Sequence, residues 1–334
     1  MEGPPDALTS VGTQERRRVR RAIVRPVNVI EVEGLRKEYR RLRGGRTVAV
    51  AGLDLEVPAG GVFGFLGPNG AGKTTTIRCL LGLVRPTAGR LRMLGADVPG
   101  RLGGVIDRVG SIVEQPALFP RFSGRRNLEI LAHVVGAGST AIDAVLERVG
   151  LADRQHDAVR TYSLGMKQRL GIAAALLKDP GVLILDEPAN GLDPAGIVEV
   201  RELIRSLGRE GRTVFVSSHI LSEVQQTADR VAIIARGRAV TSGAVDDVLS
   251  TSGSRGLLVG VDDPAAAQRA LADAGIAATV DTMRLRVNLP PDAASSVTRA
   301  LAERGIYLSE LRVDQADLET VFLELTRDAG VDAP

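Results

Sequence analysis

Apolar residues recur along the chain in short runs, and their spacing predicts a mixed α/β fold. The run from Val182 to Leu185 is continuously apolar, which is typical of a parallel strand buried on both faces. Val62–Leu66 and Val214–Val216 are similar runs, whereas Val27–Val32 alternates apolar and polar positions like a half-buried strand. Residues from about 123 to 180 show helical periodicity instead. We therefore expect a parallel core sheet, an antiparallel β subdomain before it and a helical insertion within it.

The pattern changes after a stretch of small residues at 251–256, which predicts a linker. Beyond it, helices are expected at Ala265–Ala274 and Ala293–Glu303 and a closing helix at Asp317–Leu325. Strands are predicted at Leu257–Val261, Ile276–Val280, Met283–Val287 and Ile306–Val313. This β-α-β-β-α-β order is that of a split-βαβ, ferredoxin-like α+β domain. The predicted units are a disordered basic tail (1–26), the main domain (27–250) with its insertion (about 116–180), the linker (251–256) and an accessory domain (257–328).

A glycine-rich loop lies between the strand at Val62–Leu66 and a helical run. It fits the pattern G-x-x-x-x-G-K-[ST] at every fixed position. Its glycines let backbone N–H groups surround a phosphate, and the helix N-terminus adds partial positive charge. Lys73 is expected to reach the β- and γ-phosphates, and the Thr74 hydroxyl to bind Mg²⁺. The predicted nucleotide-binding residues of this loop are Gly67, Pro68, Asn69, Gly70, Ala71, Gly72, Lys73, Thr74 and Thr75.

Two carboxylates and a histidine stand at the ends of the later core strands, where an open α/β sheet binds its ligands. Asp186 is suited to hold Mg²⁺ through a water, and Glu187 to take a proton from the water attacking the γ-phosphate. His219 ends the next strand and is expected to contact the same phosphate. Tyr39, well before the loop, is placed to stack on a purine. We therefore predict hydrolysis of a nucleoside triphosphate with Mg²⁺, and with Glu187, His219 and Lys73 as catalytic residues.

Composition and charge narrow the class of protein. The 334 residues, of which 44% are apolar and 25% charged, are ordinary for a globular chain with room for one large and one small domain. No apolar run approaches the roughly 18 residues of a membrane span, so a cytoplasmic protein is expected. The single cysteine, Cys79, fits a reducing compartment. The net charge of +3 comes largely from arginines in residues 1–26 and gives no reason to expect nucleic acid as a partner. For that tail, simple solvation and attraction to anionic lipid both remain open.

The glycine-rich loop, the carboxylate pair and the histidine, in the order in which they occur along the chain, resemble the motifs of the ATP-binding subunits of ABC transporters. Tyr39 is similar to the adenine-stacking aromatic of that family, and Asp193 to the aspartate of its D-loop. The resemblance implies that two copies sandwich two ATP molecules, with Ser163 and Gly165 of one copy near the γ-phosphate bound by the other. It also implies a separate integral-membrane permease, contacted near Arg121–Leu131, and a location on the inner face of the cell membrane.

Two regions depart from the usual family pattern. Leu164 and Met166 replace the common glycine and glutamine of the signature, and Glu114 stands where a Q-loop glutamine is usual, followed by Gln115. Either Glu114 or Gln115 is a candidate for the Q-loop role. These features are similar to the branch that exports drugs and antibiotic peptides, with a small C-terminal domain. An exporter ATPase is therefore the first hypothesis. A soluble ABC ATPase acting on a macromolecular complex is the alternative, and a phosphate-loop kinase or GTPase is disfavoured because of His219 and the signature.

Overall fold

The computed structural model describes residues 27–40, 44–251, 255–281, 283–315 and 317–328. The predicted tail of residues 1–26 and the middle of the predicted linker lie outside these ranges. The strands are β1 (Asn28–Arg40), β2 (Arg46–Pro58), β3 (Gly61–Leu66), β4 (Ala88–Met93), β5 (Ala96–Val98), β6 (Val109–Ile112), β7 (Val182–Asp186), β8 (Thr213–Ser218), β9 (Arg230–Ala235), β10 (Arg238–Ala244), β11 (Arg255–Gly260), β12 (Ala278–Asp281), β13 (Arg284–Val287) and β14 (Glu310–Gln315). The α-helices are α1 (Lys73–Leu80), α2 (Gly124–Val135), α3 (Ser139–Arg148), α4 (Leu164–Leu176), α5 (Pro194–Arg209), α6 (Leu221–Gln225), α7 (Val245–Thr251), α8 (Pro264–Asp273), α9 (Ala294–Ala302) and α10 (Leu318–Asp328).

The core sheet has six strands in the order β10-β9-β3-β8-β7-β6. β3, β8, β7 and β6 pair in parallel, β9 is parallel to β3, and only the edge strand β10 runs antiparallel to its neighbour. Every residue of β7 and β8 is buried, as the unbroken apolar runs predict. Because β3, β8 and β7 are adjacent and parallel, the segments that follow them meet at one edge of the sheet.

The antiparallel sheet formed by residues before and after the glycine-rich loop has the order β2-β1-β4-β5. Its inward side chains, among them Leu35, Leu53 and Leu91, share one apolar cluster with Phe65 of β3 and Ile77 of α1. The predicted antiparallel β subdomain is therefore confirmed, and its packing fixes the position of the loop between β3 and α1. Among the residues that the structure describes, no helix is both long and apolar enough to cross a membrane.

The helical insertion between β6 and β7 consists of α2, α3 and α4, which confirms the predicted insertion. Ser123 caps α2, because its Oγ accepts a hydrogen bond from the Arg126 N–H at 3.2 Å. α4 is buried almost all round: Leu170, Ile172 and Leu176 pack in the cluster that also contains Leu183 of β7. This packing ties the insertion firmly to the core sheet.

The C-terminal sheet has the antiparallel order β12-β13-β11-β14, with α8 and α9 on one face, as the split-βαβ pattern predicts. Leu257 and Val287 of this sheet pack against Leu271 of α8 and Leu301 of α9. The prediction that the last strand begins at Ile306 is wrong, because β14 begins at Glu310. Ile306 instead lies just beyond α9 and caps its C-terminal end, because its N–H donates to the Leu301 carbonyl at 3.0 Å.

The buried side chains described for the last helix, α10, pack against the main domain. Leu318 and Val321 are completely buried in a cluster with Val224 of α6 and Val231 of β9. The Leu318 N–H also donates to Gln225 Oε1 at 3.0 Å. By this packing α10 belongs with the main domain, whereas the sequence predicts it as part of the accessory domain (257–328). α7, which precedes the linker, was absent from the sequence prediction.

Candidate active site

The loop between β3 and α1 depends on glycine at two close backbone contacts. Gly72 begins α1 at φ 105°, and a Cβ added there would lie 2.6 Å from the Ala49 carbonyl oxygen. A Cβ at Gly67 would lie 2.4 Å from the Ile234 carbonyl oxygen. The first contact comes from the antiparallel sheet and the second from β9, so the loop is held from both sides. Only glycine allows these approaches without moving the backbone.

Lys73 points into this loop and is only 5% exposed. Its Nζ donates to the carbonyl oxygens of Gly67 at 2.6 Å and Pro68 at 3.3 Å, and lies 3.1 Å from Glu187 Oε1. A buried ammonium needs such partners, because its desolvation is costly without them. The ion pair with Glu187 connects the loop after β3 directly to the end of β7.

Glu187 links three adjacent strands at the edge of the sheet. It follows β7 with a left-handed backbone, φ 51°, and its Oε2 lies 2.8 Å from His219 Nδ1. The His219 N–H also approaches the same oxygen at 3.3 Å. Asp186, the last residue of β7, is 2% exposed and accepts a hydrogen bond from Ser217 Oγ at 2.5 Å. The structure therefore brings Lys73, Asp186, Glu187 and His219 together, as their positions at strand ends predict.

A cleft of about 470 Å³, lined by both polar and apolar side chains, opens beside these residues. Thr74 from α1, Asp186 and Glu187 from β7, and Glu114 and Gln115 from the segment after β6 all line it. Its hydroxyl and carboxylate oxygens are hard donors of the kind that Mg²⁺ prefers. In particular, a carboxylate as buried as Asp186 at the base of the cleft fits a divalent cation. ATP in the adjacent loop would present its phosphates to this cleft.

Both candidates for the Q-loop role line the cleft, and their surroundings differ. Glu114 has φ 64° and forms an ion pair with Arg78 of α1. The pair gives Glu114 a partner within its own chain. Gln115 follows at the same wall of the cleft, beside Pro116. The segment after β6 therefore offers one amide and one paired carboxylate to the site.

Tyr39 lies near the end of β1, outside the cleft, and is 37% exposed. Lys37 Nζ lies 4.9 Å from its ring centroid, a cation–π contact that steadies the ring. The ring therefore stands on the antiparallel sheet with more than a third of its surface accessible.

Ser163, Gly165 and Asp193 also lie outside the cleft, at the N-termini of two neighbouring helices. Ser163 caps α4 by accepting from the Met166 N–H at 3.1 Å. Asp193 caps α5 by accepting from the Gly196 N–H, also at 3.1 Å. A Cβ added to Gly165 would lie 3.4 Å from the Gly196 Cα, so the two N-termini approach closely. Ser163 and Asp193 are exposed there, Gly165 and Gly196 are buried, and the two helix N-termini together add partial positive charge to this surface.

Several residues near the site are not predicted from the sequence, among them Lys167, Gln168 and Asn190 of the cleft wall and two that contact predicted site residues. Ser217 hydrogen-bonds Asp186, and Arg78 pairs with Glu114. Ser217 carried a usable signal, because it is a polar residue directly after the apolar run Val214–Val216 of the buried strand β8. Arg78 carried none, since an arginine on an exposed helix turn is usually only solvated.

Comparisons with known proteins agree with this geometry. The family model described as ABC transporter matches residues 50–190. The chain is 41% identical over 300 residues to the uncharacterized ABC transporter ATP-binding protein YhcH of Bacillus subtilis (strain 168), covering 89% of this chain and 96% of that protein. It is 40% identical to the daunorubicin resistance ATP-binding protein DrrA3 of Streptomyces coeruleorubidus (90% and 96% covered) and 36% identical to the bacitracin transport ATP-binding protein BcrA of Enterococcus faecalis (91% and 98%).

Solved structures give the same answer for the fold. The structure of cbiO1 from Clostridium perfringens, part of the ABC transporter complex cbiONQ, superposes with a TM-score of 0.60 at 28% identity. That match covers 67% of this chain and 92% of the other. The chain therefore belongs to the ATP-binding subunits of ABC transporters, which hydrolyse ATP to drive transport.

Proposed function

We propose that the chain powers the export of drug- or antibiotic-type compounds through a separate membrane permease. Its catalytic role is supported by two contacts of the Glu187 carboxylate. Oε1 lies 3.1 Å from Lys73 Nζ, and Oε2 lies 2.8 Å from His219 Nδ1. The compound class is supported by DrrA3 and BcrA, whose names refer to daunorubicin resistance and bacitracin transport and which match nearly the whole chain. A soluble ABC ATPase acting on a macromolecular complex has no such support among these relatives.

In this proposal Glu187 is the general base. A γ-phosphate in the loop offers Lys73 further anionic oxygens, so Nζ exchanges the Glu187 carboxylate for phosphate and Glu187 is freed to accept the proton of the attacking water. His219 Nδ1 holds Oε2 of the same carboxylate in place at 2.8 Å. Glu187→Gln should therefore bind ATP and release no phosphate above background, whereas Glu202→Gln, on the exposed side of α5, should hydrolyse ATP normally. Phosphate release by Glu187→Gln at the wild-type rate would refute the assignment.

Mg²⁺ is the cation that the donor set fits. Thr74 and Asp186 would hold it, the carboxylate through a water, because both line the cleft next to the phosphate loop. The ion neutralises charge on the phosphates when it is bound. The protein's own contribution is to keep both oxygen donors in place, Thr74 at the start of α1 and Asp186 at the end of a buried strand.

A second copy of the chain completes the ATP site in this proposal. Ser163, Gly165 and Asp193 do not line the cleft of their own chain, although Leu164 and Lys167 of the same helix do. Ser163 and Asp193 are exposed at the N-termini of α4 and α5, and Gly165 is buried between them. Helix N-termini bind phosphate through free N–H groups and partial positive charge. They therefore suit a γ-phosphate presented by a partner in a head-to-tail homodimer.

The permease contact is proposed on the segment between the cleft and α2. Phe119 and Phe122 are 51% and 44% exposed there, with ring centroids 5.6 Å apart. Exposed neighbouring aromatics are unusual on a free surface and are frequent in protein interfaces. Arg125 is less suitable as a probe, because it forms an ion pair with Asp143 of α3 at 2.5 Å. Docking there would hold the subunit on the inner face of the membrane.

The double variant Phe119→Ser/Phe122→Ser tests this surface. Its membrane-bound fraction in cells that express the transporter should fall at least several-fold, while ATP binding is unchanged. The control is Val134→Ser, at a 79% exposed position near the other end of α2. An unchanged membrane fraction in the double variant would place the contact elsewhere.

A further inference from the structure

Ser217 lies in β8, between β3 and β7, with no exposed surface. Its Oγ donates to Asp186 Oδ1 at 2.5 Å and accepts from the Glu187 N–H at 3.0 Å. The same N–H also approaches the Ser217 carbonyl oxygen at 3.2 Å. One hydroxyl therefore contacts both acidic residues at the end of β7, through the side chain of the first and the backbone of the second.

A serine is a poor choice for this place unless the hydroxyl has a role. The three residues before it, Val214, Phe215 and Val216, are buried and apolar, and β-branched apolar residues suit a central strand best. Burying a hydroxyl is unfavourable unless it is hydrogen-bonded, and here it both donates and accepts. Those two bonds go to the residues that, in the proposed function, hold Mg²⁺ and accept the proton.

We infer that Ser217 is a positioning residue that sets Asp186 and Glu187 relative to each other. The bond to Oδ1 fixes the rotamer of the Asp186 carboxylate at the base of the cleft. The bond to the Glu187 N–H stabilises a left-handed backbone of φ 51°, which a non-glycine residue adopts only at a cost. That turn brings the Glu187 carboxylate to Lys73 and His219. The inference rests on the proposed roles of Asp186 and Glu187.

A pair of isosteric substitutions separates the hydroxyl from the shape of the side chain. Ser217→Thr keeps the hydroxyl and adds a methyl group. Ser217→Val has the same branched shape as threonine but no hydroxyl. Groups that orient a metal ligand typically contribute about 10–100-fold to activity or metal affinity. We expect Ser217→Val to lose at least 10-fold in kcat and in Mn²⁺ affinity, with the KM for ATP within about two-fold at saturating metal. Ser217→Thr should stay within about three-fold of the wild type in all of these.

Mn²⁺ binding is measured by the EPR signal of the free ion, with a non-hydrolysable ATP analogue present, so the metal affinity does not depend on turnover. The matched control is Thr213→Val. Thr213 is a buried hydroxyl at the other end of β8, 3% exposed, and it accepts from the Gly60 N–H at 2.7 Å. Its loss should lower thermal stability about as much as the loss of the Ser217 hydroxyl while leaving Mn²⁺ affinity unchanged. If Ser217→Val does not fold, Ser217→Ala takes its place with the same expected losses.

Three results are informative. Equal kcat and Mn²⁺ affinity in the Thr and Val variants would overturn the positioning role, whether both are normal or both are impaired. If Glu187→Gln abolishes hydrolysis while Ser217→Val behaves as wild type, this inference is wrong and the proposed function stands. If Glu187→Gln hydrolyses ATP normally, the proposed function fails and this inference fails with it.

Discussion

Lys73 Nζ and Glu187 Oε1 lie 3.1 Å apart, which joins the loop after β3 to the end of β7 across the edge of the core sheet. Both side chains are largely buried, with 6% and 20% of their side-chain surface exposed. A pair in such surroundings is costly to break on one side only, because the remaining charge stays desolvated. The contact also keeps Lys73, which is proposed to bind the phosphates, and Glu187, the proposed base, within reach of the same phosphate.

Lys73→Met should remove the cation at the centre of the loop and weaken ATP binding at least 10-fold, since it removes a charge-assisted contact to phosphate. Hydrolysis should fall to background. Fluorescent ATP binding and phosphate release measure the two effects. Lys178→Met is the control, because Lys178 donates to the Ile106 carbonyl away from the loop. Wild-type affinity in Lys73→Met would contradict the role of the loop.

Gly72→Ala and Gly70→Ala form a second pair. Both glycines have positive φ, 105° and 80°, so alanine is strained at either by about 1–3 kcal/mol. At Gly72 the new Cβ would also lie 2.6 Å from the Ala49 carbonyl oxygen, whereas at Gly70 nothing lies within 4 Å. We expect Gly72→Ala to lower the free energy of unfolding more than Gly70→Ala, by an additional ~1–3 kcal/mol. Urea unfolding without nucleotide measures this; equal losses would show that the close contact is unimportant.

Leu318→Ala should destabilise the ATP-binding part of the chain, although residue 318 follows the accessory sheet. The side chain is 0% exposed and packs with Val224 and Val231, so truncation should cost about 2–5 kcal/mol. Thermal inactivation of ATP hydrolysis should occur at a lower temperature. Leu301→Ala, in the core of the accessory sheet, should leave that temperature nearly unchanged. If Leu301→Ala lowered the inactivation temperature more than Leu318→Ala, α10 would belong to the accessory domain instead.

Glu223→Gln should stabilise the protein at neutral pH. Glu223 is half-buried on α6, and its pKa is raised chiefly by burial, while His219 and Arg201 oppose the shift. A carboxyl whose folded pKa is raised destabilises the fold when it is ionised, and this cost disappears below its unfolded pKa. The gain in melting temperature should therefore be present at pH 7 and vanish as the pH falls through about 4, near the ordinary pKa of glutamate. A gain that is constant over that range would mean that charge is not the cause.

The sequence was most informative where local pattern and topology agree. Adjacent parallel strands must end at one edge, so the positions of Lys73, Asp186, Glu187 and His219 after apolar runs were enough to predict that they meet. The packing of α10 was missed because periodicity shows which face of a helix is apolar and not which element covers it. Ser217 was missed for a related reason, since a hydroxyl in a buried strand reveals its partner only when neighbouring strands are placed.

The boundary of β14 shows another limit of the apolar pattern. Ile306 and Leu308 contribute apolar side chains to the accessory core without being part of the strand, and Tyr307 between them is exposed. Ile306 is used to end α9, where its N–H satisfies the Leu301 carbonyl after Gly305 turns the chain at φ 72°. The apolar pattern therefore predicts correctly that Ile306 and Leu308 pack in the core, and incorrectly that they belong to a strand.

The most direct test of the proposed mechanism is the mass of Glu187→Gln in solution, measured with and without Mg-ATP. The substitution keeps the size of the side chain and removes the proposed base, so bound ATP persists and holds two copies together. We predict a monomer without ATP and a dimer with it, and a return to monomer when Ser163→Tyr blocks the N-terminus of α4. A protein that binds ATP stoichiometrically and remains monomeric would contradict the ATP-sandwich mechanism.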